Sequence, residues 1–403
     1  MKLSWKSNAK PELILSRIDA NRQQNGETFS LTGWETAQQS PVLESMLKFP
    51  PDLLREDWAR IIFQGLCRAK APLDKDTFLA AAAAEARAQS ARPFREYIVL
   101  TAMSISLSLM PRSITWGNCQ FTFLKGAYPG RYRSRTELLS DFSELKDDTP
   151  ENYSRLAIRV RSKSPARAVS LALVQLNELR AMLNFFANWS FEHTGKFMAP
   201  INKIRLGRLH TVHNSDGTLA AETIWHESNF KATSIYDDTR FPEIYKTARR
   251  FLNRLKTIPY GPEVKESLAQ FVRGLDEPDA NVAYLRVWSA LERLTTSDQD
   301  ALIRRCAFIC SDRESQILTL KHLQKYRNDA VHEGVSTENA KRETYLLLGF
   351  YRAMLRFHLS NGYLFSSLAE ANEFLDYPPD VNILRRKKQL MERAIFYQSP
   401  PLK

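Results

Sequence analysis

The sequence predicts an α+β protein, with a mixed α/β region over 1–240 followed by an all-α, up-and-down helical bundle over 241–403. Three observations carry this. Several stretches between Tyr97 and His226 alternate apolar and polar residues at period two, the pattern of strands buried on one face. From Phe241 onward the apolar residues repeat at helical spacing with short breaks, as in antiparallel bundles. A length of 403 residues exceeds the usual single domain, so two domains are expected.

Residues 1–95 read as mainly helical after a loose start. Pro41–Leu54 and Asp57–Lys70 carry helical apolar spacing. Asp74 or Asp76 can cap the alanine-rich run Phe78–Ala88, which Arg92-Pro93 ends. Met103, Ile105, Leu107 and Leu109 alternate with serines and predict a strand closed by Pro111. Ser113–Phe123 predicts a second strand with a Gly117-Asn118 break. In Lys125–Arg135, the cations Lys125, Arg131, Arg133 and Arg135 interleave with Tyr128 and Tyr132. This turn reads either as a solvated loop or as a holder for a nucleic-acid backbone, with the rings stacked on bases. Leu156, Ile158 and Val160 alternate with Ala157, Arg159 and Arg161, predicting a third strand with a basic outer face.

Ser164-Pro165 opens a helix over Ala166–Phe186, and Ile204–Val212 with Leu219–His226 predicts a hairpin turning at Asn214-Ser-Asp-Gly217. His210, His213 and His226 in that hairpin suggest no metal set. The first two face opposite sides of a regular strand, and no carboxylate or cysteine joins them at ligand spacing. Helices are predicted over Glu243–Leu255, Gly261–Gly274, Asn281–Thr295, Ala301–Cys310, Ser315–His332 and Thr337–Leu359, with a shorter pair within 366–393. Arg385-Arg-Lys-Lys388 is a solvated helix face or a phosphate contact.

A formal charge of +12 favours polyanions or an anionic surface, though a solvated basic exterior produces the same balance. Four cysteines without C-x-x-C spacing indicate a reducing, cytoplasmic compartment. The start Met1-Lys-Leu-Ser-Trp-Lys lacks the apolar core of a secretory leader, and Tyr97–Met110 is too short to span a bilayer. No membrane partner is expected.

The stretch with most chemistry is Lys321-His-Leu-Gln-Lys-Tyr-Arg-Asn-Asp-Ala-Val-His-Glu-Gly334. Its glycine suits the position just past a helix end. Arg327 and His332 stand about 140° and ~7.5 Å apart on a helix, while Asn328 and His332 share a face. Arginine offers a planar fork for phosphate oxygens, and histidine titrates near neutrality and can act as acid or base. At a helix C-terminus beside Glu333, His332 is biased toward its protonated form. Spacing alone is cheap: Arg205–His210 and Arg208–His213 repeat it.

Context adds to it. Leu285-Arg-Val-Trp-Ser-Ala-Leu-Glu-Arg-Leu294 and Ala301-Leu-Ile-Arg-Arg-Cys-Ala-Phe-Ile309 precede the Arg-Asn-x-x-x-His helix. This succession resembles the HEPN superfamily, in particular its Apea-like branch, over roughly 245–375, with Glu333 intervening between His and Gly. The resemblance implies a metal-independent endoribonuclease that cleaves RNA without a cofactor. Its composite Arg/His site would lie at a homodimer interface in the helical domain, often in antiviral (phage) defence or toxin systems.

The expected catalytic residues are Arg327, Asn328 and His332, supported by Tyr326, Glu333 and Glu292, the last holding Arg327 or Asn328 or making an ordinary ion pair. Expected RNA contacts are Lys321, His322, Lys325, Arg131, Arg133, Arg135, Arg159 and Arg161. A phage product or nucleotide is a candidate trigger for the unassigned N-terminal domain. Two other readings stay open: a non-catalytic HEPN-like dimerisation or nucleotide-binding module, and a basic nucleic-acid-binding regulator. Side chains lying apart or tied into internal salt bridges would favour the module.

Overall fold

The computed structural model describes residues 2–26, 28–31, 34–51, 53, 55–142, 146–188, 201–332 and 340–399, with the side chains of 34–37, 56, 331 and 332 left aside. The chain is α+β, as its patterning predicts. It opens with β1 (Ser4–Trp5), α1 (Glu12–Ala20), β2 (Arg22–Asn25), β3 (Thr28–Leu31), α2 (Trp34–Met46), β4 (Leu47–Lys48), α3 (Arg55–Arg68) and α4 (Lys75–Ala91). The helix expected over 41–54 stops at Met46, and Leu47 instead pairs with Trp5. Pro50 and Pro51 lack amide donors and hold Phe49 out of the helical region, so the chain cannot stay helical to 54. Asp74 is the cap of α4: its carboxylate accepts from the Asp76 and Thr77 amides, and Thr77 returns the bond. Leu15, Ile61, Leu66, Phe78 and Ala82 form a core separate from the rest.

The sheet follows. β5 (Arg95–Met103), β6 (Ser113–Trp116), β7 (Cys119–Leu124), β8 (Ser154–Ser162), β9 (Leu209–Asn214) and β10 (Trp225–His226) form one antiparallel sheet in the order β10-β9-β5-β8-β7-β6. The first of these strands lies upstream of its predicted position. Residues 97–103 are apolar on both faces and pair centrally, whereas Leu107–Leu109 form a single 3-10 turn. The serine alternation reflects bridging of Met103 to Leu206 and Ile105 to Tyr236, after which the chain turns. Gly117 at φ +56° makes the β6–β7 turn, and Gly217 at φ +99° closes the turn after β9. The second arm of that hairpin is broken: Leu219 bridges His213, and then Trp225 and His226 pair with β9.

Between β7 and β8 lies α5 (Arg133–Asp141), and after β8 comes α6 (Pro165–Ala187), capped by Ser164. Then follow α7 (Phe241–Leu255), α8 (Gly261–Gly274), α9 (Ala280–Leu294), α10 (Gln299–Phe308), α11 (Arg313–His332), α12 (Ala340–Ser360), α13 (Leu368–Leu375) and α14 (Val381–Gln398). One hydrophobic core runs from the sheet (Val99, Phe121, Ile158) through α6 (Leu176, Leu183) into α8, α9 and α12 (Phe271, Trp288, Tyr351). It crosses residue 240, where the change of apolar periodicity suggested a domain boundary. A charged clamp crosses there too: buried Arg180 of α6 grips Asp276, just beyond α8, with two bonds of 2.7 and 2.6 Å. By contrast, α14 buries no residue, and Ile395, Phe396 and Tyr397 lie exposed about two to three turns beyond the 385–388 cations. No described helix is long and apolar enough to cross a membrane.

Candidate functional site

The end of α11 meets the starts of α9 and α12. Leu320 and Leu323 point into the core, each contributing roughly 1.5–3 kcal/mol of burial. They fix which side of α11 faces outward. The buried Tyr284 hydroxyl donates to the Leu323 carbonyl at 2.6 Å, and its ring meets that of Tyr326 edge-on at 4.8 Å. The Tyr326 hydroxyl donates to the Asn281 side chain. Two tyrosines thus pin the last turns of α11 to the first turns of α9. Thr344 of α12 reaches the Ala280 carbonyl at 3.3 Å, closing the junction.

On that frame Arg327 is half-buried, and its guanidinium donates to the Asn328 side-chain oxygen at 3.3 Å. Among the described residues it has no carboxylate partner. Lys321 and Lys325 are exposed on the same helix. His322 is also exposed but is held: its Nε2 lies 3.1 Å from Glu343, a carboxylate with only 2% of its side chain exposed. The other oxygen of Glu343 accepts from Arg342 at 2.8 and 3.1 Å. Sequence reasoning missed Glu343. The only signal was an acid three residues into an otherwise apolar helix face, which reads equally as a favourable charge at a helix start.

His332 closes α11, but its side chain lies outside the described residues, as do Glu333 and Gly334 entirely. Glu292 is placed otherwise than expected. Its carboxylate accepts from the Trp288 indole at 3.0 Å and from Gln299 at 2.9 Å, joining α9 to the start of α10 rather than holding Arg327 or Asn328.

The basic turn of the sheet region is mostly structural. Arg135 is buried and donates to Thr211, Asp147 and the Leu209 carbonyl at 2.9–3.3 Å. Tyr132 is buried, and the ring of Tyr128 is flanked by Arg135 at 5.0 Å and Arg155 at 5.8 Å, so these rings are unavailable for stacking on bases. Lys125, Arg131 and Arg133 remain exposed there. On β8, Arg161 is exposed, while Arg159 lies 3.6 Å from Glu96.

The hairpin histidines face opposite sides of the sheet. His210 contacts Thr101 at 2.8 Å and Glu227 at 3.3 Å, and His213 contacts Thr211 and the Gly217 carbonyl, each at 3.0 Å. Glu227 is a carboxylate that spacing did not connect to His210. Burial raises its pKa, but the bond to His210 and nearby positive charge outweigh this and set it at about 2. Burial pushes His213 down to about 4. No protein family, curated protein or solved structure matches this chain.

Proposed function

We propose that the chain is a metal-independent endoribonuclease whose site is completed by two copies meeting at the end of α11. The observation that carries this reading is Arg327: a half-buried guanidinium with no carboxylate partner among the described residues, set on a rigidly pinned helix end beside Asn328. The fully buried arginines among the described residues, Arg22, Arg135, Arg180 and Arg205, are each matched by a carboxylate. A fork held without a counter-charge is suited to a phosphate. In this mechanism His332 from one copy takes the 2′-hydroxyl proton, and its counterpart protonates the leaving 5′-oxygen. The two Arg327 side chains stabilise the charge that builds on phosphorus. One protomer supplies one His332, so an acid and a base of this kind require a dimer. The four thiols are free, which fits a reducing cytoplasm, and a role in phage defence or as a toxin follows from the resemblance.

The His322–Glu343–Arg342 cluster supports a second reading, a non-catalytic binding module, because one of the candidate RNA contacts is already tied internally. Substitution separates the two. Arg327→Ala abolishes cleavage of labelled RNA in the enzyme and leaves RNA uncleaved in both wild type and variant for the module.

A further inference from the structure

A strip of unmatched positive charge lies on α7, which no motif marked. α7 and the following Lys256 carry Lys246, Arg249, Arg250, Arg254 and Lys256 against one carboxylate, Glu243. At 100° per residue these five cations fall within a 160° arc, opposite the buried Phe241, Ala248, Leu252 and Leu255. All five are exposed. Among the described residues, Lys246, Arg249, Arg250 and Lys256 have no carboxylate partner, and Arg254 donates only to the Ser360 carbonyl, at 2.8 Å. From Lys246 to Lys256 the strip extends about 15 Å.

Beside the strip, between α7 and the edge strand β6, lies a cavity of about 400 Å³. Its walls include Tyr245, Trp116, Asn253, Arg249 and Lys256. The Lys256 ammonium sits 4.6 Å over the Trp116 ring, and the indole donates to Glu178 at 2.7 Å, so this wall is fixed. Trp116 is buried under the Lys256 and Lys265 ammoniums and forms the floor, so half-buried Tyr245 is the ring left to stack on a base, with the Asn253 amide and the Arg249 cation beside it.

We propose that the outer face of α7 and this cavity bind a single strand of nucleic acid, with the phosphates on the cations and one base in the cavity. The surface lies about 25 Å along α12 from the Glu343 end of α11, so it is separate from the proposed cleavage chemistry. The test is a fluorescence-anisotropy titration of a 2′-O-methylated twelve-nucleotide uridylate, which has no 2′-hydroxyl to attack, at several salt concentrations. Binding is therefore read whether or not the chain cleaves RNA.

Lys246→Ala/Arg249→Ala/Arg250→Ala should lower the slope of log K against log salt by about 2, at roughly 0.7 per lost contact. Arg385→Ala/Arg386→Ala/Lys387→Ala on α14 removes the same charge and should change the slope less. Tyr245→Leu should weaken binding roughly five- to 150-fold with the slope unchanged. The proposal is overturned by no measurable binding, by equal slope changes in the two triple variants, or by full affinity in Tyr245→Leu.

Discussion

Asp276→Asn isolates the clamp that crosses from the sheet region to the helices. The Asp276 carboxylate accepts both Arg180 bonds at 2.7 and 2.6 Å, takes a third from Asn202 at 2.8 Å, and lies 3.7 Å from buried Arg205. Asparagine keeps one acceptor oxygen and loses the charge, leaving two buried guanidiniums uncompensated. Breaking a buried pair from one side costs about 3–5 kcal/mol. Asp276 itself is 23% exposed, which places the expected loss near the lower end, about 3 kcal/mol. At roughly 2 °C per kcal/mol for a large domain, the melting temperature should fall by about 6 °C. Because one core runs through both regions, circular dichroism and tryptophan fluorescence should report the same transition in urea. A loss below about 1 kcal/mol would refute the reasoning, as would separate transitions for strands and helices between residues 95 and 377.

Further outcomes follow from the same geometry. Arg327→Ala should lower RNA cleavage by about 10²–10³ while leaving stability within about 0.5 kcal/mol, because its bond to Asn328 is solvent-exposed; Arg327→Lys should fail as well, since an ammonium lacks the fork. Single-turnover cleavage and a thermal melt check both. Burial holds His213 and His358 at pKa values of about 4, below the ordinary 6.5. The unfolded chain therefore binds more protons, so stability is full above pH 6.5 and falls as the pH drops toward 4. Urea midpoints across that window should drop, and less so in His213→Asn; a flat profile contradicts the assignment. Sedimentation should show a dimer at working concentration, and activity carried by a pure monomer would remove the composite site.

The helices were legible because their signals are local. Ser164-Pro165, Asp74 with Thr77, and the apolar spacing of α8 and α9 each specify an element within a few residues. Pairing was less legible. Period-two alternation at 103–109 pointed to a strand, but the sheet takes the continuous apolar run before it, since a central strand is buried on both faces. The small strands β1 and β4 pair across some forty residues and carry no pattern of their own.

At the site, sequence located Arg327, Asn328 and Tyr326 on one helix end, yet could not separate free cations from matched ones. Arg135 and Arg133 look alike in sequence, and only the fold buries the first against Thr211 and Asp147. Glu343 rather than Glu292 meets α11 for the same reason: which carboxylate does so depends on helix packing rather than spacing.

The central claim is cleavage, and one measurement addresses it directly. Purified protein at a concentration where it is dimeric is incubated with end-labelled RNA in the presence of a chelator, alongside His332→Ala. The account predicts discrete cleavage by wild type that the chelator does not suppress and that His332→Ala loses by about 10²–10⁴. Intact RNA with wild type, or undiminished cleavage by His332→Ala, would contradict it.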